Sequence, residues 1–222
     1  MKKTNIKLKL NSIKKYLKSN LNGNILLKSL LCGLILTVAI SLAGFEKECN
    51  GIRENVLRMH VIANSDTDED QALKLEVRDN ILEASNEVFK NCKTEEEAVN
   101  TAKENIEIFE NIAKNTVKNS GKQYDVAVSV GDAYFNNREY DGFTLPAGEY
   151  EAVKVVIGEG KGKNWWCVMF PQVCLPAASN RDISETLDEK QTDIVKNKSK
   201  YEVRFKIVEW VEGFKNKLKS GK

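Results

Sequence analysis

Between Ser29 and Phe45 the chain runs seventeen residues without a charge, and everything before that stretch carries charge of one sign only. Eight lysines (Lys2, Lys3, Lys7, Lys9, Lys14, Lys15, Lys18 and Lys28) and no acid fall within residues 1–43. Seventeen helical residues cover about 25 Å against a hydrocarbon core of roughly 30 Å, and the stretch extends to Ile25 when Lys28 reaches back to the headgroups. The membrane potential and the anionic inner leaflet hold basic flanks in the cytosol, so this asymmetry predicts that the chain beyond Phe45 is exported. Small residues at Ser41 and Ala43 ahead of Gly44 fit signal cleavage after Ala43, whereas the long basic region fits an uncleaved anchor, and both fates stay open. Cys32 follows Leu31 rather than a small residue, so it does not read as a lipoprotein cysteine.

Beyond this segment the composition describes one ordinary globular domain. Of the 222 residues, 41% are hydrophobic and 30% charged, which excludes collagen-like, low-complexity and polytopic membrane chains. The formal net charge of +2 conceals a division: removing the eight lysines from the 34 basic residues leaves 26 against 32 acids from Gly44 onward, a net of −6. An acidic domain argues against nucleic acid as its partner. Four cysteines follow the apolar stretch, Cys49, Cys92, Cys167 and Cys174. Four allow three pairings; Cys167 and Cys174 are close enough in sequence to bridge a turn at Pro171, or they are two buried thiols.

Hydrophobic periodicity gives the elements. Val56–Ala63 is short and apolar, with Leu57, Met59, Val61 and Ala63 on one face, and reads as a mostly buried strand. Ser65 or Asp66 is placed to cap a helix over about 68–90, in which Leu73, Val77, Ile81, Ala84 and Val88 recur at three and four. Thr94 and Glu97 form a capping box ahead of a second amphipathic helix running to about 119 and stopping at Ser120-Gly121. From Tyr124 the period changes to two, with Val126, Val128 and Val130 alternating with Ala127 and Ser129. Asn136-Asn137, Leu145-Pro-Ala-Gly148 and the glycines 158, 160 and 162 then read as turns between strands at about 150–157 and 164–170. Residues 176–200 read as a polar surface excursion with weak helical signal, and Val203, Ile207, Trp210, Val211, Phe214 and Leu218 mark a further amphipathic helix. The expected fold is α+β: an antiparallel meander of about four to five strands against two amphipathic helices, plus the last helix and the membrane segment.

Few side chains have spacings that carry chemistry. Asp66, Asp68 and Asp70 imitate the start of an EF-hand loop, but Gln71 stands where the turn glycine belongs and Val77 where the bidentate glutamate belongs. The acids read as residues placed at a helix N-terminus. Gly158, Gly160 and Gly162 are not followed by Lys-Ser/Thr and a helix, so they read as a hairpin tip with Lys161 and Lys163 in solvent. His60 is the single histidine and no zinc spacing exists, so no metal or cofactor is expected. A Cys167–His60 pair, or an acid such as Asp66, is what an exported envelope hydrolase could use. Trp165 and Trp166 are adjacent and point to opposite faces if their stretch is a strand, one into the core and one at an edge where it could anchor a partner.

Leu57-Arg-Met-His-Val-Ile-Ala-Asn-Ser-Asp66, Asp70-Gln-Ala-Leu-Lys-Leu-Glu-Val-Arg-Asp79, Leu145-Pro-Ala-Gly-Glu-Tyr150 and Val156-Ile-Gly-Glu-Gly-Lys-Gly-Lys-Asn-Trp-Trp-Cys-Val168, with Phe170-Pro171 and Cys174, resemble the stage II sporulation protein R family of endospore formers. The resemblance covers about residues 52–175. It divides the chain into a basic membrane segment (1–45), a family domain (46–175) and a polar segment with a terminal helix (176–222). It implies a non-enzymatic signal, exported from the forespore to the space between the two cells, that triggers the mother cell's membrane-embedded aspartic protease to cleave the precursor of sigma factor E. It places Arg58, His60, Asn64, Ser65, Asp70, Gln71, Lys74, Arg78, Asn164, Trp165 and Trp166 at the receptor interface and implies a Cys167–Cys174 disulfide.

Overall fold

A computed structural model describes residues 23–173 and 182–221. Seven of the eight N-terminal lysines, Cys174 and the first part of the 176–200 segment lie outside these residues. The apolar stretch is held in one long helix, α1 (Gly23–Arg53). It has a mean hydropathy of 2.3 over an 18-residue window, none of it buried, and among the described residues it is the helix long and apolar enough to cross a membrane. The Ser29 and Thr37 hydroxyls donate to the carbonyls of Ile25 and Gly33 four residues back, at 2.9 and 2.8 Å, which pairs them inside the helix itself. The chain divides into two compact units between Phe45 and Glu46. The last two turns of α1 and every element below belong to the second.

The fold is α+β, and its main sheet is mixed rather than an antiparallel meander. Strands β1 (Leu57–Ile62), β2 (Val126–Phe135), β5 (Gly148–Ile157) and β6 (Asn164–Phe170) lie in the order β2-β5-β1-β6, while β3 (Arg138–Tyr140) and β4 (Phe143–Leu145) form a separate hairpin. Ten paired residues join β2 to β5, from Val126 opposite Ile157 to Phe135 opposite Gly148. That ribbon leaves the other edge of β5 to β1, which runs parallel to it. With neighbours on both sides and both faces covered, β1 is buried along nearly its whole length, its second face carrying Arg58 and His60 instead of apolar side chains. Strand β6 then adds antiparallel to β1 on the far side.

Three helices, α2 (Asp68–Val88), α3 (Glu95–Glu104) and α4 (Ile106–Asn119), cover one sheet face, where two were expected. The helix read over 94–119 breaks at Asn105 (φ −106°, ψ 18°), whose Nδ2 donates to the Thr101 carbonyl at 2.8 Å. Their apolar stripes meet Leu57, Met59, Val61, Val153, Val155, Cys167 and Met169 in a common core. Thr94 caps α3 as read, but α2 is capped by Thr67, not by Ser65 or Asp66: the Ser65 hydroxyl donates to the Asp70 carboxylate and Asp66 accepts from the Lys163 amide.

Around the far end of the β2–β5 ribbon gather the end of α1, the β3–β4 hairpin, α5 (Glu189–Lys196) and α6 (Lys198–Ser220). Arg53 donates to the Ala147 carbonyl through Nε (3.0 Å) and Nη2 (2.5 Å). A Cβ on Gly148, at φ +145°, would stand 2.2 Å from Arg53 Nε, so this packing requires glycine there. The reading of 176–200 as a surface excursion is corrected over its described part. A 3₁₀ turn (Ile183–Glu185) and α5 bury Ile183, Ile194 and Val195, and both begin with capping boxes, Asp182 with Glu185 and Asp188 with Gln191.

Candidate partner-binding site

Because β1 lies between β5 and β6, the connection through residues 158–163 is not a hairpin tip; it must arch over the C-terminal end of β1. The chain just past β1 is what it lands on. Glu159 N donates to Asn64 Oδ1 (3.0 Å), Lys161 N to the Asn64 carbonyl (3.2 Å), Gly162 N to the Ala63 carbonyl (2.9 Å) and Lys163 N to Asp66 Oδ1 (2.6 Å). The approach is close: a Cβ at Gly162 would fall 2.2 Å from the Ser65 carbonyl oxygen and one at Gly158 2.3 Å from Asn64 Oδ1. Asp70 ties the arch to α2, accepting from Ser65 Oγ (2.5 Å) and Asn64 Nδ2 (2.8 Å). These two bonds, Ser65 first, hold its carboxyl below the usual carboxylate range.

Along α2, Gln71, Lys74 and Arg78 follow at helical spacing beside the start of β6. Gln71 Nε2 donates to the Ser65 carbonyl (2.8 Å), and Lys74 Nζ donates to Gln71 Oε1 (2.6 Å) and the Lys163 carbonyl (3.3 Å). Burial lowers the Lys74 ammonium from its ordinary value. Arg78 instead lies outside this mesh, its guanidinium 4.2 Å from the centre of the Trp165 ring and paired with Asp79 at 2.6 Å. Trp165 is 38% exposed and forms with Arg78 a cation–π pair on the surface of an edge strand.

The other sheet face holds the remaining residues. His60 stacks on Trp166 with ring centres 4.0 Å apart and an interplanar angle of 14°, and Phe135 meets the Trp166 ring edge-on at 4.8 Å. Arg58, fully buried, places its guanidinium 3.9 Å above Phe135 and 4.8 Å from Tyr150 and donates to the Tyr140 hydroxyl. Burial, and then the charges of Lys154 and Arg58, push the His60 imidazole down to about 4, against a hydrogen bond with Asn164. Arg138, 5.3 Å from the Trp166 ring centre, and Lys154, opposite His60 in register, join this basic aromatic cluster without having been singled out in the sequence. A turn signal at Asn136-Asn137 gave no hint that Arg138 would fold back over β6.

The strand register separates the two groups of the hydrolase reading. Cys167 stands opposite Met59 and belongs to the helix-covered core, whereas His60 stands opposite Trp166 on the other face. Asp66 is engaged by the Lys163 amide. The partner implied for Cys167, Cys174, lies outside the described residues. Among those residues no group of three or more His, Cys, Asp or Glu is placed to hold a metal ion.

The arrangement defines a class: an α+β domain, carried behind an apolar helix of membrane-crossing length, whose distinctive side chains build a loop arch and two arginine–aromatic assemblies. The model of the family described as stage II sporulation protein R matches residues 53–180, and the chain belongs to that family. A protein of Bacillus subtilis (strain 168) named stage II sporulation protein R is 32% identical over 182 residues, covering 72% of this chain and 81% of its own. No solved structure matches. The family match assigns the chain to sporulation and spans every residue that the motif resemblance placed at an interface.

Proposed function

We propose that this chain is a signalling protein exported from the forespore, which activates the mother cell's membrane-embedded aspartic protease so that the precursor of sigma factor E is processed. The observation that carries the reading is membership of the family over residues 53–180. The one-sided lysines and the apolar helix α1 support export, with the N-terminus left in the cytosol or removed by cleavage. Trp165 supplies the exposed contact, with the half-buried Arg78 guanidinium against its ring: a large flat ring and a guanidinium are the side chains that most often dominate a binding interface. Asn164, although exposed, is turned to the other sheet face, where it hydrogen-bonds His60. The domain acts here as a ligand, so no cofactor enters the reading.

The test is reconstitution in vegetative cells that lack sporulation proteins, co-expressing this chain with the protease and the precursor and following cleavage by immunoblot. Processing is expected with the full chain and not with a form lacking residues 1–45. Processing by the form that stays in the cytosol, or none from either, would overturn the proposal.

A further inference from the structure

Helix α6 is docked on the domain by one side only. Phe205 and Val208 are buried, Glu209 accepts from the Asn137 amide at 3.0 Å, and a Cβ on Gly213 would touch the Tyr134 hydroxyl at 3.4 Å. On a 3.6-residue wheel, Val203, Ile207, Trp210, Val211, Phe214 and Leu218 fall within an arc of about 100° directly opposite. This arc faces outward: Val203 is 72% exposed, Trp210 77%, Phe214 60% and Leu218 59%. The amphipathic pattern legible in the sequence is thus inverted, with most of its apolar stripe turned away from the core.

The charges follow the same division. Helix α6 carries seven basic and three acidic residues, in contrast to 18 basic and 29 acidic over residues 44–197. Its acids, Glu202, Glu209 and Glu212, lie on the half facing the domain. Four of its seven cations border the apolar arc, Lys206 and Lys217 along one margin and Arg204 and Lys215 along the other, while Lys198, Lys200 and Lys219 pair with Glu139, Asp193 and Glu149 of the domain. Lys206 and Lys215 pair with Glu202 and Glu212 at 3.2 and 2.5 Å, but such exposed pairs are weak and exchange readily for other anions. The result is a convex ridge with an aromatic and aliphatic crest and a cationic border on each side.

We propose that α6 is a membrane-interfacial helix that lies on an anionic phospholipid surface, Trp210 and Phe214 entering the boundary of headgroups and acyl chains while the flanking lysines meet phosphates. Two observations select a bilayer over a protein. Cations on both margins of a single ridge complement a plane of negative charge, and the same chain carries in α1 a segment of membrane-crossing length, which brings the domain to a bilayer surface and, when uncleaved, keeps it there. The family match ends at residue 180, so α6 lies outside the matched residues and the proposal does not depend on the identity of the receptor.

The test uses the full chain in phospholipid nanodiscs loaded with one copy each, comparing discs with and without bromine on the upper acyl chain. Bromine quenches tryptophan only on contact. With phosphatidylglycerol in the disc, the wild type should lose a part of its emission that Trp210→Phe does not lose. That part should shrink in phosphatidylcholine alone and in a variant carrying Lys206→Glu, Lys215→Glu and Lys217→Glu, with circular dichroism confirming that helix content is unchanged. Equal quenching of wild type and Trp210→Phe, or emission indifferent to bromine, would overturn the proposal; the latter is the outcome if a partner protein covers the ridge.

Discussion

His60 turns a packing arrangement into a pH limit. Stacked on Trp166 and 8% exposed, its imidazole has a folded value near 4 against an ordinary 6.5. Between those values the unfolded chain takes up a proton that the folded domain refuses, so stability is retained above 6.5 and lost progressively as the pH falls toward 4. The contribution at stake is up to about 3 kcal/mol, since each tenfold difference in proton affinity between the two states is worth about 1.4 kcal/mol. The urea midpoint of the wild-type domain should therefore fall across that window more steeply than that of His60→Gln. Parallel curves for the two would show that the ring is solvated and that Trp166 does not enclose it.

At the scale of elements, the start of α3 carries a charge arrangement of opposite sign. Burial, then the carboxylates of Glu151 and Glu96, push Glu95 up to about 7, from an ordinary 4.5. The folded state holds this proton more tightly than the unfolded one, so its contribution is intact below 4.5 and is lost as the pH rises through 7. Glu95→Gln should accordingly raise the thermal midpoint at pH 8 and change it little at pH 5; an unchanged midpoint at pH 8 would place the carboxylate in open water. Local chemistry of this kind explains what the sequence could and could not disclose. The existence of α2 and β2 was legible from the periodic side chains that each buries, and that of β1, β5 and β6 from short apolar or β-branched runs bounded by turn residues. The break at Asn105 was not, because the helical period continues through it while one asparagine side chain turns back on the Thr101 carbonyl. The place of β5 between β2 and β1 was also hidden: alternation reports which face of a strand is buried, not which strand lies beside it. Helix α5 announced itself through Asp188 and Gln191, a signal outweighed by the polar composition around it.

Over the whole molecule, the family motifs gather residues with two different duties. Asn64, Ser65, Asp70 and Gln71 hold the arch that the strand order makes necessary, and Arg58, His60 and Trp166 pack the second face of the sheet. A motif read along the chain cannot separate folding from binding, since both constrain residue type equally; exposure separates them, and it leaves Trp165 on the surface with the half-buried Arg78 guanidinium against its ring. The two tryptophans, adjacent in sequence, should therefore fail differently. Trp166→Ala removes a ring packed between His60, Phe135 and Arg138 and should cost roughly 2–3 kcal/mol of stability, read as a lower denaturation midpoint and less folded protein. Trp165→Ala and Arg78→Ala should leave that midpoint nearly unchanged and each weaken receptor binding by about 2 kcal/mol, roughly thirtyfold in affinity. In the reconstituted cells this corresponds to loss of precursor cleavage at a normal level of exported domain. Full cleavage by Trp165→Ala and Arg78→Ala would move the receptor contact away from the β6 edge, and the basic aromatic cluster of Arg138, Lys154 and Trp166 on the opposite face would be the next surface to alter.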